Sequence, residues 1–224
     1  MNLQKIILLS IVLIQLVGCR RSSNDVNFES DVIHDVFLEV VDSIYMDRRV
    51  MLPPKPPRYD NKTTAKDTIG YSKILAKYYS RQDSILNDKS KIKLVVDDYV
   101  EKITANDNIA ITKLFNDLAI EFDNFQDSNH FRLDLSKYSR NKKFNFRYAS
   151  EFPQESYWDI SIDSDLPVGA ISISRIQFNR DRTMGVFPAS ASCGGGKCGR
   201  GFLILIKKKN NNWRIAKIID TWVS

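Results

Sequence analysis

The chain is predicted to fold as an α+β domain, with N-terminal helices followed by a C-terminal antiparallel β-meander. Three observations carry this. Between residues 28 and 125 apolar residues recur mainly at the three- and four-residue spacing of amphipathic helices. From residue 130 they alternate with polar residues at the two-residue period of half-buried strands. Short polar turns separate the last strands, and short connections force antiparallel pairing. Helices first and strands afterwards is the order of an α+β fold.

The first predicted helix covers 28–48, with apolar positions 33, 37, 40, 41 and 44 on one face. MLPPKPPR ends it, because four prolines force an extended connector over 52–58. Tyr71, Leu75, Tyr78, Ile85 and Leu86 predict a second helix over 68–87. KIKLVVDDYV at 91–100 reads as a strand from its β-branched residues. Ile111, Leu114, Phe115, Leu118, Ala119 and Phe122 then predict a third helix over 110–122. HFRLDL, KFNFRY and YWDISI alternate as strands, followed by GAISISRIQF, TMGVFPASAS, GFLILIKKK and WRIAKIIDTWVS. NRDR, a cysteine loop and NNN are the turns between these last four. The organisation expected is a signal segment 1–18, a tether 19–27 and a single domain 28–224, helical over 28–125 and β-rich over 130–224.

The N-terminus, MNLQKIILLSIVLIQLVGC, has the positive residue, short apolar run and small-residue ending of a secretory signal. The run is too short to span a bilayer. Its ending resembles the bacterial lipobox, which implies cleavage after Gly18 and acylation of Cys19; an ordinary signal peptide with a chance cysteine is the alternative. Acyl chains contribute ~0.8 kcal/mol per buried CH₂, so several of them would hold the chain on a bilayer it does not cross. An envelope location follows.

Charge is uneven. Residues 20–136 carry 17 Lys and Arg against 20 Asp and Glu, whereas residues 137–224 carry 15 against 7. An exported chain meets little nucleic acid, so an acidic protein or another anionic envelope component is the available partner, beside the bilayer reached through Cys19. A basic face kept only for solubility is the plainer reading.

Cys193 and Cys198 flank the loop in CGGGKCGRG. Zinc needs more ligands than two cysteines beside the distant His34 and His130 supply. A redox centre wants Cys-x-x-Cys at a helix start, and a phosphate loop wants Lys-Ser/Thr before a helix. An exported, even pair is expected to close a disulfide at a hairpin tip, whose glycines allow the reversal. Lys197 and Arg200 then stand on a rigid loop that could engage a partner, or serve as solvated turn residues.

No catalytic residue is nominated, and no metal or cofactor is expected. Asp97 and Asp98 would face opposite sides of a strand, a poor acid–base pair. Trp158, Trp213 and Trp222 could line a glycan groove, although buried anchors are commoner. Residues 169–224 nevertheless carry a combination, Ser-Arg-x-x-Phe-Asn at 174–179, then Cys-Gly at 193 and 198, then Trp213 and a closing Trp-Val-Ser. That combination resembles the C-terminal portion of uncharacterised lipoproteins common in Bacteroidetes, and the resemblance implies a surface or periplasmic lipoprotein with no activity attached; residues 20–25, RRSSND, lack the acidic cluster that resembles a surface-export signal in that group, so the outer membrane facing the periplasm is the location expected. Asp67-Thr68-Ile69 also resembles the O-glycosylation acceptor of that group, which makes Thr68 a candidate. The expected function is a membrane-anchored, non-enzymatic binding or envelope-support protein. The alternative is an inhibitor or immunity-type protein acting through loop 193–201.

Overall fold

A computed structural model describes residues 25–47, 49, 65–122, 130–152, 167–193 and 198–224. The signal segment, Cys19, the start of the tether, the proline connector 52–58, YWDISI with Trp158, and Lys197 lie outside the described residues. The α+β class holds: helices come first, and a mostly antiparallel sheet closes the chain.

Helix α1 spans 25–44, starting three and ending four residues before the predicted bounds. Its end has a local cause. The Asp47 carboxylate accepts the Arg49 N–H at 2.9 Å, a turn that competes with further helix. Val32, Ile33, Val36, Phe37, Val40, Val41 and Ile44 form its buried stripe. Helix α2 covers Ala65–Leu86 and is largely exposed.

Helix α3 runs Ala105–Asp117, about five residues earlier than its periodicity suggests. Thr104 caps it, its hydroxyl accepting the Asp107 N–H at 3.1 Å and donating to the Asp107 carboxylate at 2.6 Å. Ala119, at φ 52°, turns the chain out of the helix. Phe122 stacks on Phe115 at 5.6 Å from an extended segment, so it mimics helical spacing without being helical.

Strands β1 (Ile92–Val96), β4 (Phe144–Tyr148), β5 (Gly169–Ile173), β6 (Gln177–Phe178), β7 (Met184–Ser192), β8 (Gly199–Lys209) and β9 (Asn212–Val223) form one sheet. Its order is β4-β1-β5-β7-β8-β9, with β6 also on β7. Strands β2 (Tyr99–Val100) and β3 (Phe131–Arg132) form a separate small pair, so HFRLDL contributes only two strand residues. From β5 onward pairing is antiparallel, as short turns require. The other edge is parallel, β1 with both β4 and β5. The long connection through α3 and the small pair permits that crossover.

Both faces of the sheet are covered, which explains why GFLILI is apolar without alternation. Phe202, Ile204 and Ile206 point into the α1 layer. Leu203 and Leu205 point into the α3 layer with Ile111 and Phe115. The β8–β9 hairpin turns on Asn210 and Asn211, at φ 51° and 64°, the positive values of a type I′ turn.

The sheet has two distinct ends. At one, Arg182 pairs with Asp25 at 2.7 Å, so the β6–β7 turn meets the start of α1 beside the β8–β9 hairpin tip. At the other, Gly169 lies so close to the end of α1 that a Cβ would fall 2.2 Å from the Met46 carbonyl oxygen. The two cysteines that follow β7 and precede β8 sit at this second end.

Candidate functional site

Cys193 and Cys198 are joined by a disulfide, with Cα atoms 5.4 Å apart, and the Cys193 N–H donates to the Cys198 carbonyl at 3.0 Å. Arg200 is a strand residue of β8 rather than a loose tip charge. It pairs with Asp220 at 2.6 Å and lies over the Phe202 ring at 5.4 Å. Thr68 falls in the first turns of α2, because that helix starts at Ala65.

The three tryptophans divide. Trp213 is buried at 4 % exposure and packs edge-on against Phe28 and Phe178, the anchor role. Trp222 is 49 % exposed. A β-bulge between Gly201 and Phe202 offsets the β8–β9 register and leaves Thr221 without a direct partner, so Trp222 pairs with Gly201. Its indole lies over that glycine: a Cβ at 201 would fall 2.0 Å from Nε1. Only glycine admits the ring there.

The same row continues across the sheet as Gly201, Ser190 and Ser172, one residue per strand. Small side chains leave a depression that α3 does not fill, a groove of about 170 Å³ lined by Ser172, Ser174, Ser190, Thr221, Asp107 and Trp222. Asp107 reaches it from the first turn of α3. Hydroxyls, one carboxylate and one exposed aromatic face thus share one small space. The Ser172 hydroxyl hydrogen-bonds the Asp97 carboxyl. Burial pushes that carboxyl upward, the charges of Glu101 and Asp98 push the same way, and the Ser172 bond opposes them.

Asp98 turns away from Asp97, accepting the Ser150 N–H at 2.8 Å and pairing with Arg132 at 3.3 Å. The two carboxylates are therefore not a pair, as their adjacency on an extended chain predicts. His34 Nδ1 meets the Tyr138 hydroxyl at 2.6 Å, while His130 packs edge-on against Tyr99. Neither joins the cysteines. Among the described residues no three His, Cys, Asp or Glu gather in a metal-holding group, and no helix is long and apolar enough to cross a membrane.

The Ser-Arg-x-x-Phe-Asn segment proves to be a joint. β5 and β6 both pair with β7, and the bend between them turns Arg175 inward onto Glu29 of α1 at 2.7 Å. The Ile176 N–H donates to the same carboxylate at 2.6 Å. Phe178 packs on Phe28, and Asn179 closes the next turn by accepting the Thr183 and Met184 N–H groups at 2.9 and 2.8 Å. Pro188 of β7 stands opposite this bend, where a missing N–H is tolerated.

The groove was not foreseen. Its signal, serine at alternate positions in GAISIS and PASAS, shows only that one face is small and polar. Which strands adjoin, and where the bulge places Trp222, depends on pairing. No protein family, curated protein or solved structure matches the chain.

Proposed function

We propose that this protein is a lipid-anchored envelope protein that works by binding rather than by catalysis, and that the groove beside Trp222 takes a sugar residue. The carrying observation is the exposed Trp222 indole, held over Gly201 at the edge of a hydroxyl-lined depression. An indole face accepts the C–H face of a sugar ring, and serine, threonine and carboxylate oxygens answer its hydroxyls. At about 170 Å³ the space is smaller than the few hundred Å³ or more of drug-sized sites and suits one ring. The bound unit is thus one residue of an envelope glycan. The disulfide at the same end ties β7 to β8 beside the groove, which limits the ordering cost of binding.

The anchoring half rests on the N-terminal segment ending in Cys19 and on the lipoprotein resemblance. The binding half rests on the groove. One mass measurement and one capture test them. The mass of the mature N-terminal peptide should equal a chain beginning at Cys19 plus acyl groups. Envelope extract passed over the protein should yield glycan that Trp222→Ala does not retain. Equal retention by Trp222→Ala would move the binding surface elsewhere, and dependence on Arg200 instead would favour the inhibitor reading of the loop.

A further inference from the structure

We infer that the end of the sheet opposite the groove is a membrane-seating surface for anionic lipid headgroups, so that the anchor and this surface together point the groove away from the bilayer. The inference rests on the lipid-anchor reading. The tether fixes which end is near the membrane. Asp25 lies six residues along the chain from Cys19, and at most about 3.6 Å per residue that stretch spans roughly 20 Å. Asp25 begins α1 and is paired with Arg182, so the start of α1, the β6–β7 turn and the β8–β9 hairpin tip lie at the tethered end.

That end is basic. Lys207, Lys208, Lys209 and Arg214 are exposed. Arg180 and Arg182 are matched by Glu121 and Asp25, whereas the four hairpin cations make no ion pair among the described residues. Two of them oppose each other: Lys207 and Arg214 are cross-strand partners, so their side chains share a face at close range. Like charges in that relation destabilise a sheet, and an anionic surface would relieve them. Lys208 projects on the opposite face of the sheet, so cations flank both sides of the tip. Arg20 and Arg21 directly follow Cys19 in the sequence, so the anchor reading brings two more cations to the bilayer.

The opposite end carries the groove. β8 runs 11 residues from Gly199, beside the disulfide, to Lys209, and its ten steps of ~3.3 Å separate the two ends by about 33 Å. Headgroup attraction fades within a screening length of about 8 Å in physiological salt, so it acts on the hairpin and leaves the groove free. Anchoring fixes the protein on the surface, and the basic tip fixes which way it stands.

The test uses the full, natively processed protein in vesicles of phosphatidylcholine, with and without phosphatidylglycerol. A donor dye is placed on Asn211→Cys at the hairpin tip or on Ser224→Cys beside the disulfide end, with acceptors on lipid headgroups. Energy transfer should be stronger from position 211 than from 224, should rise with phosphatidylglycerol, and should fall as salt is added. Lys207→Glu with Lys208→Glu and Lys209→Glu should abolish the difference while leaving the melting temperature near that of the parent. Equal transfer from both positions, in protein that still floats with the vesicles, would overturn the orientation and leave the anchor intact. Failure to float with phosphatidylcholine alone would instead overturn the anchor. Attachment to phosphatidylglycerol vesicles then decides the surface: at about 1 kcal/mol per basic residue, or ~5-fold, the triple variant should bind roughly 100-fold more weakly. No binding by the parent chain would sink the surface as well.

Discussion

Glu29 and Arg175 lie 146 residues apart in sequence and meet at 2.7 Å in the core, with side chains 5 % and 8 % exposed. They join the first helix to the bend between β5 and β6. Arg175 also lies over the Phe131 ring at 5.4 Å. Arg175→Met leaves the Glu29 charge buried without that guanidinium, which should destabilise by about 3–5 kcal/mol. At about 2–4 °C per kcal/mol, the melting temperature should fall by roughly 6–20 °C. Glu29→Gln added to Arg175→Met removes the buried charge and keeps an acceptor for the Ile176 N–H, so the double variant should melt above the single one. A double variant no better than the single would show that the ion pair is not what locks the joint.

The disulfide closes a short loop, and by chain entropy its removal should cost about 2 kcal/mol. Cys193→Ser with Cys198→Ser should therefore lower the melting temperature by about 4–8 °C without altering the far-ultraviolet spectrum. Non-reducing peptide mapping of the exported protein should find the two joined. Free thiols at both positions would refute the staple.

Asp97 gives a pH dependence of defined sign. Its carboxyl is raised by burial, so between its unfolded and folded values the native state holds more protons than the unfolded one, and stability falls as pH rises through that window. At neutral pH the charged form is a burden. Asp97→Asn should melt higher than the parent at pH 7, and the gain should vanish at pH below the ordinary carboxylate range. A parent that gains stability from Asp97 at neutral pH would contradict the assignment.

Gly201 tests the geometry of the groove directly. Gly201→Ala places a methyl group 2.0 Å from Trp222 Nε1, and the half-exposed indole must swing off the sheet. The expected outcome is a folded protein whose Trp222 emission shifts to the red and whose glycan binding is lost. Unchanged emission would mean that the ring does not rest on this glycine in solution.

Much of the frame was legible in the residues. The helical stripe of α1, the unbroken apolar run of β8 and the cysteine pair each express a local rule, and each appears where it was expected. Boundaries moved where a side chain intervened: the Thr104 cap drew α3 forward, and Phe122 copied a helical spacing from an extended segment. The parallel placement of β1 could not be read, because β-branched residues mark a strand without naming its neighbours. The groove was hidden for the same reason. Ser172, Ser190, Gly201 and Trp222 form one row only after four strands are aligned and a bulge is introduced. Arg175 stood in sequence as an isolated basic residue, and only the fold supplies Glu29.

The central proposal is that Trp222 receives a sugar. The most direct measurement is a fluorescence titration of the full protein with solubilised envelope glycan fragments, run in parallel on Trp222→Phe and Trp222→Ala. The parent should show a saturable change in tryptophan emission, Trp222→Phe should bind more weakly by calorimetry, and Trp222→Ala should not bind. Saturable binding of the same fragments by Trp222→Ala at parental affinity, or no binding of any fragment by the parent, would contradict the claim.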